Sequence, residues 1–333
     1  MIDVKRHIGK IDRTSWKRLL ENSKFCSFFQ SPQCWELYSE MSFMKPFGVA
    51  VEEDGKLAGL MIGYLQKDGG ALKSFFSRRA IVNGGPLLSD GISDEALSCL
   101  LREVRRMLQG KAIYVEIRNF EDYSVYKTVF EKCGFEYVEH LNFHIDTSSE
   151  ELVESNLGKS RKRDIKISLR EGATVVSQPS EDQVEEFYGL LSELYREKVK
   201  TPLFPYEFFD YLRDKDYAQL LLIDYQGSII GGTVCVCQDR KAVYEWFACG
   251  KDGALKNIYP STLATYAGIR YAAEAGYPRF DMMGAGSPDK SYGVRDFKAK
   301  FGGTLVGHGR FRHVFNPLLY GVGKLGVKIM KKL

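Results

Sequence analysis

The sequence lacks any long apolar run, and it lacks the features of a secretory leader. No stretch approaches the roughly 18 apolar residues that a transmembrane helix needs. The opening residues, MIDVKRHIGKIDRTSW, contain neither an apolar core nor a small-residue cleavage site. The 333 residues are 44% hydrophobic and 27% charged, a balance typical of globular proteins with about two domains. We therefore expect a cytoplasmic protein.

Metal-binding and disulfide patterns are also missing. The seven cysteines include no CxxC pair, and the five histidines never fall at metal-ligand spacing. A structural zinc site and a disulfide framework are therefore not expected. Cys235 and Cys237 alternate on a predicted strand, which favours packing in the core.

Positive charge is concentrated in two segments, although the net charge is only +4. KSRKRDIKISLR (159–170) has six cations and one carboxylate, and residues 295–333 have nine cations and one carboxylate. Such blocks favour a polyanionic partner, such as nucleic acid, nucleotide phosphates or a lipid surface. A solvated basic helix face is the alternative interpretation.

The chain is similar to itself at an offset of about 170 residues. VEEDGKLAGLMI (51–62) aligns with IDYQGSIIGGTV (223–234), and both predict a β-hairpin around a Gly turn. Helices in each half are predicted to end at Gly110 and Gly276. Further matches join ALKSFFS (71–77) to AVYEWFA (242–248), and FEKCGFEYVEH (130–140) to KAKFGGTLVGH (298–308). We infer two copies of one α/β unit, at 1–147 and 148–333.

Motifs along the chain resemble a known family. VFEKCGF (129–135) looks like the closing helix and strand of the GNAT N-acyltransferase fold. Three further segments resemble the Fem family, whose members add amino acids from aminoacyl-tRNA to the peptide of peptidoglycan precursors. These segments are FFQSPQCWELY (28–38), SRKRDIKISLREG (160–172) and RFDMMGAGSPDKSYGVRDFKAKFGG (279–303).

The resemblance implies an α/β (α+β) fold with two tandem GNAT-like domains, each a mixed, mostly antiparallel sheet flanked by helices. It implies an aminoacyltransferase of peptidoglycan biosynthesis, with aminoacyl-tRNA as donor, a nucleotide- or lipid-linked amine as acceptor and no cofactor. Some members insert a long helical arm, but here only about 25 residues separate the units. Contact with tRNA would then be made by the domain surface.

Acyl-CoA as donor is the first alternative. Ordinary GNAT enzymes bind its pyrophosphate in a loop of the form Gln/Arg-x-x-Gly-x-Gly/Ala at a helix N-terminus. The corresponding stretches, SRRAIVNGGPLLSD (77–90) and ACGKDGALKNIYPST (248–262), do not have this spacing. This disfavours an acetyl-CoA-dependent N-acyltransferase. A non-catalytic RNA- or membrane-binding protein is the second alternative.

One position in each unit corresponds to the catalytic Tyr of ordinary GNAT enzymes, four residues before the turn Gly. The first unit has Phe130 there, which has no proton to give, so this unit is predicted to be catalytically silent. The second has Lys298, whose ammonium suits a developing oxyanion or a leaving ribose oxygen. A surface lysine is the alternative. Asp281, at a strand end, is predicted either to orient a substrate or to cap the loop 284–289.

Candidate binding residues surround these two. Strand alternation places Tyr244 and Trp246 on one face and Glu245 on the other, so an aromatic ring could stack on a base or pack in the core. The remaining candidates are cations and a tyrosine suited to phosphate contacts: Arg161, Lys162 and Arg163 on the basic helix, with Tyr292 and Arg295 beside Lys298.

The second domain opens with the basic helix at 159–172 and closes with a basic amphipathic tail at 316–333. Leu318 and Val322 begin an apolar stripe in this tail, with lysines elsewhere. The pattern predicts either a weak helix at the inner membrane face or a helix packed onto the first domain. Glycines in the tail lower its helicity.

Overall fold

The computed structural model describes residues 1–66 and 78–330 and divides into two compact units. Unit 1 comprises Met1–His140 and Gly307–Leu333, and unit 2 comprises Leu141–Val306. The segment 71–77, matched above to 242–248, lies outside the described residues. No helix within the described ranges is both long and apolar enough to cross a membrane.

The strands are numbered in chain order. They are β1 (Ile2–Lys5), β2 (Met44–Glu53), β3 (Lys56–Gln66), β4 (Arg79–Gly84), β5 (Leu87–Leu88), β6 (Tyr114–Asn119), β7 (Glu136–Val138), β8 (Asn142–Asp146), β9 (Thr174–Val176), β10 (Ala218–Tyr225), β11 (Ser228–Gln238), β12 (Ala242–Gly250), β13 (Arg279–Asp281), β14 (Thr304–Val306) and β15 (Arg310–Val314).

The α-helices are numbered in the same way. They are α1 (Arg13–Asn22), α2 (Pro32–Glu40), α3 (Asp94–Leu108), α4 (Lys127–Lys132), α5 (Glu150–Asn156), α6 (Lys159–Arg170), α7 (Glu181–Leu194), α8 (Tyr206–Arg213), α9 (Pro260–Glu274), α10 (Gly293–Ala299) and α11 (Pro317–Met330).

The predicted hairpins are equivalent in both units. The β2–β3 turn has Asp54 and Gly55 at φ 51° and 77°, and the β10–β11 turn has Gln226 and Gly227 at φ 55° and 80°. Positive φ at both central residues defines the turn whose twist matches paired strands. Val51 pairs with Gly59, Ile223 pairs with Gly231, and each pair is followed by a register shift. The predicted duplication is confirmed at these positions.

The long helices also follow the prediction. The Ser93 side chain caps α3 by accepting from the Ala96 N–H, and the helix buries Leu97, Leu100 and Leu101 with Val104. This spacing is the apolar face of an amphipathic helix. The glycines beyond α3 and α9, Gly110 and Gly276, have φ 75° and 76°, the left-handed conformation that ends helices.

Each unit is built on one sheet. In unit 1 the strand order is β1-β2-β3-β4-β6-β15-β7, with β5 beside β3, and in unit 2 it is β14-β8-β13-β12-β11-β10-β9. Among the described residues, each sheet has one parallel pair, β4–β6 or β12–β13, and otherwise antiparallel pairing. The predicted fold class, mixed sheets flanked by helices, is confirmed.

The predicted domain boundaries need two corrections. Strand β8 pairs with β13 and β14 and so belongs to unit 2, whereas β15 pairs with β6 and β7 in unit 1. Residues 141–147 therefore join the second unit, and 307–333 join the first. The two strands occupy corresponding positions of corresponding sheets, so local sequence does not determine which sheet either one completes.

The proposed match of residues 71–77 to 242–248 also needs correction. Tyr64 of β3 pairs with Ile81 of β4, and Val236 of β11 pairs with Tyr244 of β12. Because the hairpin offset makes Tyr64 equivalent to Val236, the counterpart of β12 is β4. A short apolar and aromatic match was not enough to align these strands.

Candidate active site

The two parallel strand pairs differ in length. In unit 1, β4 and β6 pair over six residues, from Arg79 with Tyr114 to Gly84 with Asn119. In unit 2, β12 and β13 pair only at Val243 with Phe280 and at Tyr244 with Asp281. Strand β12 continues to Gly250 with no further partner on β13 among the described residues. The sheet of unit 2 therefore opens beyond Tyr244, at the carboxyl end of its parallel pair.

A β-bulge lies beside this opening. Val234 pairs with Phe247 and Cys235 pairs with Glu245, which leaves Trp246 as the extra residue on β12. The rings of Trp246 and Phe247 both contact Phe208, with centroids 5.1 and 6.0 Å away. A bulge bends the strand and redirects its side chains. Because of the bulge, Phe247 lies on the same face of β12 as Trp246, whereas simple alternation predicts opposite faces for these neighbours.

The aromatic candidates on β12 lie mainly in the core. Tyr244 is fully buried, so its ring is not presented to a substrate in this structure. Trp246 is half-buried in the aromatic cluster with Phe204 and Phe208. For Tyr244 the structure supports the alternative of core packing, because no stacking partner can reach a ring with no exposed surface.

Lys298 lies at the C-terminal part of α10, four residues before the turn at Gly302. Its Nζ donates to the carbonyl of Met282 and, at 2.9 Å, to that of Gly284. Burial lowers the pKa of Lys298, whereas the charges of Glu245 and Asp281 act to raise it. The residue is therefore not a freely solvated surface lysine. Its ammonium is held in the loop that follows β13.

Asp281 anchors that loop. It has no exposed surface, and its Oδ1 accepts from Asn142 Nδ2 and from the Met283 N–H, each at 2.7 Å. His144 Nε2 lies 3.1 Å from Oδ2. Burial acts to raise the pKa of Asp281, but His144, through its hydrogen bond and charge, brings it below the usual value. This geometry corresponds to the loop-capping interpretation.

The loop itself has a strained backbone. Met283, which is not a glycine, has φ 52°, and Gly284 has φ 120°. Such conformations persist only when surrounding contacts fix them, and they are concentrated at functional sites. Here Asp281 binds the Met283 N–H, and Asn142 Oδ1 accepts from the Gly284 N–H at 2.7 Å. Sequence reasoning missed Asn142 and His144, because they lie on the exchanged strand β8.

Arg295 and Tyr292 also support this loop. Arg295 donates from Nε to the Ala285 carbonyl at 2.9 Å and from its terminal nitrogen to the Ser287 carbonyl. A Cβ added at Gly286 would lie 2.8 Å from the Tyr292 ring, so the ring packs directly on the backbone there. Arg295 was predicted to contact phosphate, but its guanidinium is already bonded to two loop carbonyls in this structure. Arg295 uses these donors to hold the loop.

Glu245 is a site residue that the sequence analysis named but did not select. It is 6% exposed, and its Oε1 has no hydrogen-bond partner among the described residues. Burial raises the pKa of Glu245, while the charge of Lys298 acts to lower it. The sequence contained a signal for this residue, namely a carboxylate within a strand of buried residues. Burying an acid is energetically costly unless it has a partner or a functional role.

Unit 1 has the same arrangement with different chemistry. Glu116 on β6 faces Arg312 on β15, as Asp281 on β13 faces His144 on β8. Burial opposes ionisation of Glu116, but the charges of Arg118 and Arg310 and a hydrogen bond from Arg312 hold its pKa well below the usual range. The acid is thus neutralised by three arginines.

The residue of unit 1 that corresponds to Lys298 of unit 2 shows the same difference between the two units. Phe130 is fully buried and stacks on Phe311, with ring centroids 3.8 Å apart. Strands β4 and β6 stay paired over six residues, so unit 1 has neither the ammonium nor the opening. Both observations support the prediction that this unit is catalytically silent.

The basic helix α6 divides its cations between two roles. Arg161 is buried, and its guanidinium lies over the rings of Phe297 and Phe301 at 4.4 and 5.1 Å. It also donates to the Phe297 carbonyl at 3.3 Å. Arg161, which the sequence analysis predicted to bind substrate, thus has its charge engaged between α6 and α10 and is not presented to solvent in this structure.

The other cations of α6 face solvent. Lys162 and Arg163 are exposed, as are Lys166 and Arg170. Arg163 also pairs with Asp164 at 2.9 Å. Arg163, Lys166 and Arg170, spaced three and four residues apart, thus form a basic face on the surface of unit 2.

A separate groove lies elsewhere in unit 2. It has a volume of about 950 Å³ and is lined by residues that include Tyr266, Arg270 and Tyr271 of α9 and Leu221 of β10. None of the selected site residues lines it. Within the described residues, no three His, Cys, Asp or Glu side chains are grouped to hold a metal ion.

The fold and the site define the class of protein. Two α/β units in tandem, one with an opened parallel pair and one with a closed pair, form a tandem GNAT-like protein. Residues 213–328, which include Glu245, Asp281 and Lys298, match the model of the FemAB family. The predicted resemblance to the Fem family is thereby confirmed in the second half of the chain.

Solved structures show the same fold. The crystal structure of FemX matches with a TM-score of 0.71 at 14% identity, over 96% of this chain and 99% of that one. A tandem GNAT protein from the clavulanic acid biosynthesis pathway matches with a TM-score of 0.59 at 11% identity, over 95% and 99%. L-PGS from Bacillus licheniformis matches with a TM-score of 0.57 at 16% identity, over 96% and 97%. No curated protein matches by sequence. The family and fold matches together support a transferase.

Proposed function

We propose that the chain is an aminoacyltransferase. It would form an amide between the aminoacyl group of an aminoacyl-tRNA ester and an amine on a cell-envelope precursor of the peptidoglycan type. The observation that carries the proposal is the ammonium of the half-buried Lys298, held by two carbonyls next to the opening between β12 and β13 with the carboxyl group of Glu245 nearby. The FemAB match, and neighbours named FemX and L-PGS, favour this chemistry.

The reaction requires two proton movements, and the site has a group for each. The acceptor amine attacks the ester carbonyl, a C–N bond forms, the C–O bond breaks, and the tRNA 3′-oxygen leaves as a hydroxyl. Glu245 takes the proton that the amine loses, since its raised pKa suits a general base. Lys298 stabilises the oxyanion and gives a proton to the leaving 3′-oxygen, and the proton taken up by Glu245 then restores the ammonium. An ammonium has three N–H donors, and the carbonyls of Met282 and Gly284 use two.

The acceptor and the acceptor end of the tRNA both carry phosphate. The exposed cations Lys162, Arg163, Lys166 and Arg170 of α6 suit a nucleotide- or lipid-linked diphosphate or the tRNA backbone. The ester is already activated, so the proposal includes no cofactor. We place the reaction at the cytoplasmic side of the envelope, where such precursors and aminoacyl-tRNA meet.

An acyl-CoA-dependent N-acyltransferase is the second candidate. The opening between β12 and β13 favours it, because an extended thioester could enter there, and one structural neighbour, solved without AcCoA, is a tandem GNAT protein. Calorimetric titration with acetyl-CoA separates the two candidates. Micromolar binding with acetyl transfer to an amine would replace aminoacyl-tRNA as donor.

The test of the proposed function is single-turnover transfer from an aminoacyl-tRNA to an amine-bearing peptidoglycan precursor. Lys298→Ala should slow transfer by about 10²–10³-fold, the usual loss for one oxyanion donor. Affinity for the acceptor should fall much less, because the interaction strengthens mainly in the transition state.

Lys300→Ala is the matched control, since Lys300 is an exposed lysine just beyond the same helix. It should keep wild-type turnover. Full activity of Lys298→Ala would remove the mechanism. Tight RNA binding with no transfer by the wild-type chain would favour the non-catalytic alternative.

A further inference from the structure

Helix α11 presents apolar side chains away from unit 1. Leu318 is 84% exposed and Val322 is 56% exposed, and residues four apart lie on one face of a helix. The half-buried Tyr320 lies on another side, where its ring contacts the ring of Tyr114 at 5.2 Å. The helix is therefore attached through Tyr320, and its apolar face has no cover from the described part of the chain.

Charge shows what kind of partner suits this face. The segment of unit 1 that contains α11, residues 307–333, has six Lys or Arg residues and no Asp or Glu. Lys324 is exposed, with its Nζ 4.8 Å from the centre of the Tyr320 ring. Arg312 lies over the same ring at 5.7 Å. A helix with apolar residues on one face and cations on the other is amphipathic, and this pattern is complementary to an anionic lipid surface.

We propose that α11 docks unit 1 onto the surface of an anionic phospholipid bilayer. Leu318 and Val322 enter the boundary between headgroups and acyl chains, and Lys324 lies near the headgroup phosphates. The docking rests on unit 1 alone, so it stands or falls independently of the chemistry proposed for unit 2. It deepens the proposed function by favouring acceptors that reside at the membrane.

The glycines of α11 offer a test in the direction of tighter binding. Gly321 is exposed, and a Cβ added there would meet nothing within 4 Å. Gly321→Ala should therefore raise helix propensity without a clash. If the helix binds lipid in its folded form, this substitution increases affinity for vesicles, whereas binding through disordered lysines alone would not respond.

The experiment is co-sedimentation of the full chain with vesicles of phosphatidylcholine alone or with 30% phosphatidylglycerol. We expect binding to the phosphatidylglycerol vesicles, weakened by salt because exposed charges are screened. Leu318→Ser with Val322→Ser should reduce the partition coefficient at least tenfold. Lys324→Ala should reduce it about fivefold, as one lysine at an anionic surface contributes.

Val125→Ser is the matched control, because Val125 is an apolar residue of unit 1 that is 70% exposed outside α11. It should bind like wild type. Equal binding by the double variant and this control would overturn the proposal, as would absence of binding to phosphatidylglycerol vesicles. A dimer by light scattering that the double variant dissociates, without vesicle binding, would assign the face to a second copy of the chain.

Discussion

Single residues of the same type have very different roles in this protein. Arg161 and Arg163 are two positions apart on α6, yet the first is buried over Phe297 and the second is exposed. The same applies to acids: Asp281 accepts two hydrogen bonds at Oδ1 and has a lowered pKa, whereas burial raises the pKa of Glu245. The raised pKa of Glu245 suits a proton acceptor, because a general base works best when its pKa is near the working pH.

Glu245→Gln should remove the acidic limb of the pH–rate profile. Transfer by the wild-type chain should rise as Glu245 ionises, at a pH above the ordinary carboxyl range because burial raises its pKa. It should fall as Lys298 loses its proton, at a pH below the ordinary lysine range because burial lowers its pKa. The glutamine variant should be slow and keep only the basic limb, measured as single-turnover rates from pH 5 to 10.

The same substitution has a consequence for stability. The folded state holds the Glu245 proton more tightly than the unfolded state, so this group lowers the free energy of unfolding as pH rises from the ordinary carboxyl value through the raised pKa. Glu245→Gln should remove that decline in urea titrations. Glu171→Gln, at an exposed acid of unit 2, is the control. An unchanged acidic limb and an unchanged decline would contradict the assignment.

At the scale of elements, the site depends on how α10 and the loop before it are held. Lys298 and Arg295 of α10 bind carbonyls of the loop that follows β13, and Asn142 of β8 binds the Gly284 N–H. Arg161 of α6 joins α10 through Phe297. Three elements from separate parts of the sequence thus position one ammonium.

Arg161→Met should lower turnover about tenfold or more without removing any group from the site. The substitution keeps an apolar stem but loses the contact with Phe297, and a small displacement of a catalytic group is costly to rate. The kcat should fall more than the acceptor KM rises, and amide exchange in residues 293–300 should accelerate.

Arg163→Met on the same helix is the control, since Arg163 is exposed and pairs with the same Asp164. It should raise the KM of the phosphate-bearing substrate, because Arg163 is one of the proposed phosphate contacts, but leave kcat and amide exchange in α10 unchanged. Arg161→Lys should recover part of the rate, because a lysine retains the charge over the ring. Equal loss in both methionine variants would show a general effect of charge rather than positioning.

At the scale of the whole molecule, duplication has produced two units with different properties. Both have the same hairpin and the same Gly turns. In both, the second strand of the parallel pair carries an acid that faces a residue of the neighbouring antiparallel strand. One unit has three arginines and Phe130 at these positions, and the other has His144, Asn142 and Lys298. Each sheet also contains a strand that local chain order would assign to the other copy.

Phe311→Ala should destabilise unit 1 by about 3–5 kcal/mol, because it removes a buried ring stacked on Phe130. Hydrogen exchange should accelerate in residues 127–138 and 114–119 of that unit. Exchange in residues 298–306, which are closer in sequence but belong to unit 2, should change little.

Leu305→Ala, six residues earlier on β14, is the control. Leu305 is 47% exposed, so its truncation should have a small effect on either unit. If Phe311→Ala instead accelerated exchange in 298–306 and spared 127–138, β15 would have to complete the other sheet.

The sequence by itself determined the features that depend on local spacing. The hairpins follow from Asp54-Gly55 and Gln226-Gly227, since only a few residue types adopt positive φ readily. The helix ends follow from Gly110 and Gly276. The contrast between Phe130 and Lys298 follows from a count of four residues before each turn Gly, and the Fem resemblance depended on motifs of this kind.

The tertiary structure decided what depends on residues far apart in the chain. Strands β8 and β15 are equivalent in sequence position, so only three-dimensional pairing shows that each completes the other copy's sheet. Only this pairing shows that β8 brings Asn142 and His144 to Asp281. Burial decided that Arg161 is structural and that Glu245 is unusual, because desolvation is set by every neighbouring element. Local periodicity contains no information about which of several cations on a basic helix meets an aromatic ring.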